Sequence, residues 1–398
     1  MTTKSETSNR IAFVCPRFSE GATIGGAETL LKELAVRCAK AGRKVDFLTT
    51  CATNHYTWEN TIPPGAKETD GITVRFFPVN DDRDATTFLR VQGSIDRRVK
   101  ISADDEQLWI GNSVNSRALI DHLQKKIGSY DRVVMGPYLF GVVYFASKIA
   151  PEKTMLVPCL HDEAFAYLGI MNEMFHRVRG FMFNTHPEQL LAQKLYGVPD
   201  SKCTVVGLGI ENFDADPNSF AVRRGIKSPY VIYSGRREPL KGTPLLTGYL
   251  HAFRERTGRD VKLVCTGSGN IDAPAGLQDH IMDVGFVSEQ EKREAMAGAV
   301  AFIHPSVNES LGIVLLESWL ARTPALVHAK GEVLRDQCRR SGAGLWFRRY
   351  PDFEEELTMM LDQPDTRRQL GEAGRAFVQR EYSWPAVESR LFGALDNL

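Results

Sequence analysis

The chain has 398 residues, and 49 Lys+Arg balance 49 Asp+Glu to a formal net charge of zero. That balance excludes a protein held to nucleic acid chiefly through phosphate contacts, and 43% hydrophobic with 25% charged residues excludes a disordered chain. At roughly 150 residues per domain, the length predicts two or three domains.

The polar start, residues 1–10, leads into an apolar run at 11–15 that is too short for a signal-peptide core and is closed by Pro16. A glycine-rich loop over 20–28 follows, then Leu30, Leu31, Leu34 and Cys38 at helical spacing up to Gly42, then a strand at 45–49. Strand, helix, strand is the signature of a βαβ unit, and so of a parallel sheet with right-handed crossovers. Further strands are predicted at 73–77, 132–135, 154–158, 180–184 and 203–207. The stretch 211–220 lacks periodicity and reads as a linker. The alternation then resumes, with a strand at 230–234 and a helix at 243–257 that has Thr243 as cap and Pro244 in its first turn. Strands at 261–266 and 281–286, a helix at 289–297, a strand at 299–304, a helix at 311–321 and a strand at 325–328 complete the run. From Asp352 the pattern is helical, broken at Gln363-Pro364-Asp365 and Tyr382-Ser383-Trp384-Pro385.

The predicted fold is α/β: two Rossmann-like doubly wound domains facing a central cleft, residues 1–209 and 210–380, followed by a last helix at 381–398. No run approaches the ~20 apolar residues of a membrane-spanning helix. The seven cysteines include no CxxC pair and read as reduced thiols of a cytoplasmic protein.

Ligands of doubly wound sheets sit at the carboxyl ends of strands, so chemistry is sought in the loops there. The sharpest signal is His304-Pro-Ser-Val-Asn-Glu309-Ser310-Leu311-Gly312-Ile313-Val314-Leu-Leu-Glu317. Glu317 lies among Leu315, Leu316, Trp319 and Leu320, where a carboxylate is costly to bury without a partner. A ribose diol would supply two donors to it, and free N–H groups around Leu311, Gly312 and Ile313 would attract phosphate. The plainer reading makes Glu309 a helix-dipole charge and turns Glu317 to water; placement after a strand, with Gly312 between, favours the site.

The second signal is Gly235-Arg236-Arg237-Glu238-Pro239-Leu240-Lys241-Gly242, after a strand and before a helix. Arg236 and Lys241 suit a diphosphate, one as a fork and one as a point charge, although a basic loop is often simply solvated. Gly25-Gly26-Ala27-Glu28 allows close backbone approach to a ligand or makes an ordinary turn. His161 ends a strand beside Asp162, which raises it above the other histidines. The rest show no metal-ligand spacing. Thr266-Gly267-Ser268-Gly269 fails the dinucleotide fingerprint because Asp272 occupies the place of its third glycine, and Asp82-Arg83-Asp84 reads as a solvated turn rather than a metal site.

Together these loops resemble retaining glycosyltransferases of the GT-B fold, in the large family called glycosyltransferase family 4. Gly235-Arg236…Lys241-Gly242 is similar to the family's GR-x4-KG loop, and 263–269 to its second nucleotide-side loop. Val284-Gly285-Phe286 precedes the helix expected there, and Glu309…Glu317 fits the E-x7-E motif. The first half matches only through Gly25-Gly26-Ala27-Glu28, His161 and 196–209, and Tyr382-Ser383-Trp384 is similar to the place where family members return a last helix to the first domain.

The resemblance implies that Arg236 and Lys241 hold the donor diphosphate and steady its departing charge, with no metal. It implies that Glu317 binds ribose, Glu309 contacts the transferred sugar, and Gly267, Ser310 and the Leu311–Gly312–Ile313–Val314 backbone line the donor. His161 would sit by the reacting face of the sugar, and Gly25 and Gly26 by the diphosphate. Two departures stand out: Ser268 where an acidic residue is frequent, and Arg237 where Leu is common.

The expected function is metal-independent, retaining transfer of a hexose, mannose as a first guess, from a nucleotide-diphosphate sugar. The expected acceptor is a saccharide or lipid-linked glycan of a surface polysaccharide or glycoconjugate. No cofactor beyond the donor and no nucleic-acid partner is expected. A non-catalytic sugar-nucleotide-binding scaffold, or a nucleotide-sugar epimerase with acid and base groups, would use the same fold. The stretch 171–183 mixes cations with large apolar residues; it reads either as peripheral contact with the inner face of a membrane or as a helix and buried strand.

Overall fold

Apolar runs buried on both faces are what a parallel sheet between helices requires, and they set the architecture. The computed structural model describes residues 9–18 and 25–398; the polar start through residue 8 and the 20–24 part of the glycine-rich loop lie outside the described residues. The chain divides into two units, one running to Leu208 and including Glu388–Leu398, the other Gly209–Val387.

Unit one is built on β1 (Arg10–Val14), β2 (Lys44–Thr50), β3 (Gly65–Thr69), β4 (Ile72–Phe77), β5 (Arg132–Met135), β6 (Thr154–Leu156), β7 (Gly180–Phe183) and β8 (Cys203–Val205). Their order across the sheet is β3-β4-β2-β1-β5-β6-β7-β8. All neighbours are parallel except β3, which pairs antiparallel with β4 through Asp70 and Gly71, both at positive φ. The pattern predicts no strand at β3 because it is a polar, exposed edge, where charges such as Lys67 and Glu68 discourage further pairing. The span between β4 and β5, for which the pattern predicts no element, holds the helices Ala85–Asp96, Ala103–Gly111 and Arg117–Lys126. Asp84 caps the first of these through the Thr86 and Thr87 N–H groups, and Asp82 accepts from Arg117 at 2.7 Å, so this acidic pair is turn and cap.

The stretch 171–183 belongs to the helix Gly169–Arg177 and to β7. Met171, Met174, Phe175, Phe181 and Phe183 are buried, and Arg177 pairs with Glu173 of its own helix, as the helix-and-buried-strand reading expects. Among the described residues no helix is long and apolar enough to cross a membrane.

One buried charge ties the first sheet together. Asp46 on β2 accepts from Arg10 Nε at 2.7 Å, Arg75 Nε at 3.1 Å and Tyr130 Oη at 2.9 Å, and so joins β1, β2, β4 and the start of β5. Burial alone would raise its carboxyl, but the hydrogen bonds from Arg10 and Tyr130 and the charges of Arg10 and Arg75 hold it below the usual range.

Unit two is built on β9 (Tyr230–Ser234), β10 (Lys262–Thr266), β11 (Ile281–Gly285), β12 (Phe302–His304), β13 (Ala325–His328) and β14 (Gly344–Phe347). All are parallel, in the order β11-β10-β9-β12-β13-β14. The order reverses between β9 and β12, and the loops leaving those two strands therefore open side by side. The helix Thr243–Thr257 starts as expected but with a different cap. Gly242, at φ 74°, takes that place, and Thr243 Oγ1 instead donates to the Glu238 carbonyl at 3.2 Å. A side chain at position 242 would bring its Cβ to 2.9 Å from the Pro305 carbonyl oxygen, so only glycine lets the two loops meet.

The tail forms the helices Tyr350–Asp362, Pro364–Glu381 and Trp384–Asn397, broken at the two predicted places. The boundaries differ slightly from the expected 209 and 380. They fall after Leu208 and, inside the last helix, after Val387.

Asp46→Asn is expected to cost about 2 kcal/mol at neutral pH, as a buried charge network loses its shared acceptor. Because the folded-state pKa is depressed, the wild-type advantage is present above about pH 4 and shrinks as pH falls further. Denaturant unfolding of both proteins at pH 7 and pH 3 measures this, and an undiminished difference at pH 3 would contradict it.

Candidate active site

The loops after β9 and β12 carry the charged residues that sequence reasoning singles out. Lys241 Nζ lies 2.7 Å from Glu309 Oε1, both side chains largely withdrawn from water. His304, the last residue of β12, places Nε2 3.4 Å from the same Glu309 oxygen. Burial pushes the His304 imidazole down and Lys241 adds to this against the pull of Glu309, so the ring is neutral at neutral pH. Its Nε2 is then suited to donate to Glu309 and hold that carboxylate in place. Sequence reasoning gives His304 no role, although it opens the very motif that contains Glu309.

Arg236 is about half exposed and pairs with Glu238 at 3.1 Å, on the same loop as Lys241. Its neighbour Arg237 turns the other way and is buried. The Arg237 N–H donates to the Ser268 carbonyl at 2.7 Å, Nε donates to the Gly269 carbonyl at 2.8 Å, and Nη2 meets Asp283 at 3.0 Å. The extra charge at 237 is therefore a brace joining the loop after β9 to the loop after β10 and to β11. Gly267, at φ 104°, fits because a Cβ there would sit 2.3 Å from the Gly235 carbonyl oxygen.

The motif helix begins at Ile313, behind Gly312 at φ 78°. Leu311 is buried, and Gln337 donates to its carbonyl. Ser310, Leu311 and Gly312 thus lie in the approach to a helix N-terminus, whose first N–H groups have no partner within the helix. Val314 belongs to its first turn. Glu317 lies one turn further along; its Oε1 is 3.1 Å from Lys292 Nζ, and its Oε2 is buried with no hydrogen-bond partner among the described residues. Burial raises the Glu317 carboxyl and Lys292 opposes it. Lys292 is a residue that sequence reasoning misses, because nothing in its local pattern points to Glu317.

The remaining predicted residues lie in unit one. Gly25 caps the helix Gly26–Lys40, and a Cβ there would meet Glu28 Oε2 at 2.6 Å. Glu28 is buried against Arg17, which also donates to the Thr53 carbonyl at 3.0 Å. His161 follows β6, with Nδ1 3.8 Å from Glu163 Oε1. Asp162, its expected partner, instead accepts from Tyr167 at 2.8 Å. Glu163 accepts from Tyr138 Oη at 2.9 Å. Burial pushes it up to about 7, the Tyr138 bond opposing and Asp96 adding. The loop is seated on Glu188, which accepts from the Leu160 N–H at 2.7 Å and the Asn184 N–H at 2.6 Å.

Comparison with known proteins finds likenesses over these loops. Residues 215–377 match the family model Glycosyl transferases group 1. Alpha-D-kanosaminyltransferase of Streptomyces kanamyceticus is 28% identical over 42% of this chain and 45% of its own length. The chain likewise spans about half the length of several other curated relatives. D-inositol 3-phosphate glycosyltransferase of Thermomonospora curvata is 25% identical over 94% of this chain and 92% of that one. Among solved structures, Anabaena HepE in complex with UDP and glucose superposes with a TM-score of 0.69 at 15% identity, covering 98% of this chain and 100% of that one. That likeness shows the fold, GT-B.

Glu163 yields a prediction. Its folded-state pKa lies above the ordinary value of about 4.3, so the folded protein binds that proton more tightly and loses stability as pH rises from about 4 to about 7. Glu163→Gln removes this titration, and its melting temperature is expected to gain on the wild type between pH 5 and pH 8. Parallel melting curves across that range would refute the assignment.

Proposed function

We propose that this chain, whose residues 215–377 match the family model Glycosyl transferases group 1, transfers a hexose from a nucleoside-diphosphate sugar to a hydroxyl of a saccharide or lipid-linked glycan. The observation that carries this reading is the convergence of Lys241 and Glu309 from two neighbouring strand ends, next to the start of the helix that carries Glu317. A cation, an anion and free backbone N–H groups in one place suit a diphosphate joined to a sugar.

In this reading Arg236 and Lys241 take the diphosphate. Lys241 exchanges its contact with Glu309 for phosphate oxygens, and the helix start at Ile313 adds its partial positive charge. As the bond between sugar and phosphate breaks, negative charge grows on the leaving diphosphate and positive charge on the sugar ring. Fixed cations on one side and the Glu309 carboxylate on the other stabilise that separation without reorganisation. Glu317 accepts from ribose hydroxyls. In unit one the reading assigns Gly25 and Gly26 to phosphate and His161 to the transferred sugar. Retention of configuration and independence of metal follow the resemblance to family 4, and mannose remains the first donor sugar to try. UDP and glucose bound to Anabaena HepE, together with a relative named as GDP-mannose-dependent, make UDP- and GDP-sugars the first donors to test.

The first test is calorimetric binding of UDP, GDP, ADP, TDP and CDP, each with and without magnesium. One nucleoside diphosphate binding well above the others, equally in both conditions, is the expected result. No binding by any would overturn the donor site and favour a purely structural role for these loops. With the donor base known, Glu309→Ala is expected to lower transfer about a hundredfold or more with melting unchanged, as for the loss of one transition-state contact. Lys241→Ala is expected to weaken nucleotide binding about tenfold, as for the loss of a charged hydrogen bond. Near-normal turnover and affinity in both variants would remove the mechanism.

A further inference from the structure

We propose that Lys292 is a positioning residue for donor recognition: it anchors one oxygen of Glu317, so that the carboxylate is presented in one orientation to the ribose hydroxyls of the nucleotide. The inference rests on the donor-site reading above and extends it to a residue outside the motif loops.

Lys292 projects from the helix Glu289–Ala297, which packs on the Ile313–Leu320 helix that carries Glu317. Its ammonium reaches Glu317 Oε1 at 3.1 Å and Glu289 Oε2 at 2.9 Å. The two partners differ in setting: the Glu289 side chain is 65% exposed and that of Glu317 16%, so only the second ion pair is shielded from water and salt. Burial disfavours the Lys292 charge, yet Glu317 and Glu289 more than offset it and the amine stays cationic. An ionised carboxylate offers about four acceptor positions. Lys292 fills one, and Oε2 is buried with no partner among the described residues. A carboxylate that is held firmly but under-supplied with donors lacks what a vicinal diol brings. An ion pair serving stability alone would gain nothing from leaving that oxygen orphaned, since a buried unsatisfied acceptor is a cost.

The role requires that Lys292 act through Glu317, and this decides the experiment. UDP, GDP and ADP are titrated calorimetrically beside their 2′-deoxy and 3′-deoxy forms. In the wild type the best-binding diphosphate is expected to outcompete at least one of its deoxy forms by about tenfold or more, the loss of one hydrogen bond to a charged group. In Lys292→Met that ratio is expected to fall to about twofold or less, because a buried carboxyl without its cation becomes neutral and unoriented. Lys292→Arg, which keeps charge and donors, should retain most of the ratio. In a Glu317→Gln background, Lys292→Met should change the ratio no further. If Lys292→Met does not unfold cooperatively, Lys292→Gln carries the same comparison.

A full ribose preference in the neutral variants would overturn the proposal, as would a further loss in the Glu317→Gln background. A wild type that binds a diphosphate without preferring ribose overturns it while leaving the donor-site reading in place. A wild type that binds none of the diphosphates overturns the reading itself, and this inference with it.

Discussion

The candidate site depends on the reversal of strand order between β9 and β12. Elsewhere in that sheet a loop leaving a strand is covered on its inner side by the crossover to the next one. At the reversal the crossovers run to opposite sides, and two strand ends are left facing an open space. That constraint puts Lys241 and Glu309 within 2.7 Å of each other although 68 positions separate them in the chain. It also explains Gly242, which lies where the loops after β9 and β12 approach too closely for any side chain.

The protein uses buried ionisable side chains as connective material in both units. Asp46 gathers strands of the first sheet, Glu188 seats the His161 loop, and Arg237 binds three neighbouring segments of the second unit. Each such group is costly to desolvate and is supplied with several partners, although one Arg237 nitrogen, Nη1, is buried without one. Glu317 differs, with one oxygen supplied and one not.

The pattern of strands and helices was legible wherever an apolar run lies between turn residues, as at β9 or the helix Glu289–Ala297. Polar edges carry no such run, so β3 escaped, although Asp70-Gly71 is the tight-turn signal that would have found it. The E-x7-E and basic-loop motifs were visible because their residues are close in sequence. Their supports were not: His304, Lys292 and the bracing role of Arg237 act across 5, 25 and 46 positions. His304 opens the motif itself and was passed over because its role lies in holding Glu309; for the other two, at 25 and 46 positions, nothing local tells a paired charge from a solvated one. Asp162, beside His161 in sequence, instead pairs with Tyr167, while Glu163 lies nearer the His161 ring.

The last helix belongs to both units, residues 384–387 with the second and Glu388–Leu398 with the first. In the first unit it supplies Glu388 to Arg37 at 3.4 Å and Asp396 to Arg43 at 2.7 Å, while Arg390 donates to the Val206 carbonyl at 3.1 Å. On the ribosome, the unit made first therefore waits for residues made after the second. Its sheet can assemble early, but the arginines Arg37 and Arg43 meet their acids only after the whole second unit has been synthesised. Completion of the first unit therefore follows synthesis of the second.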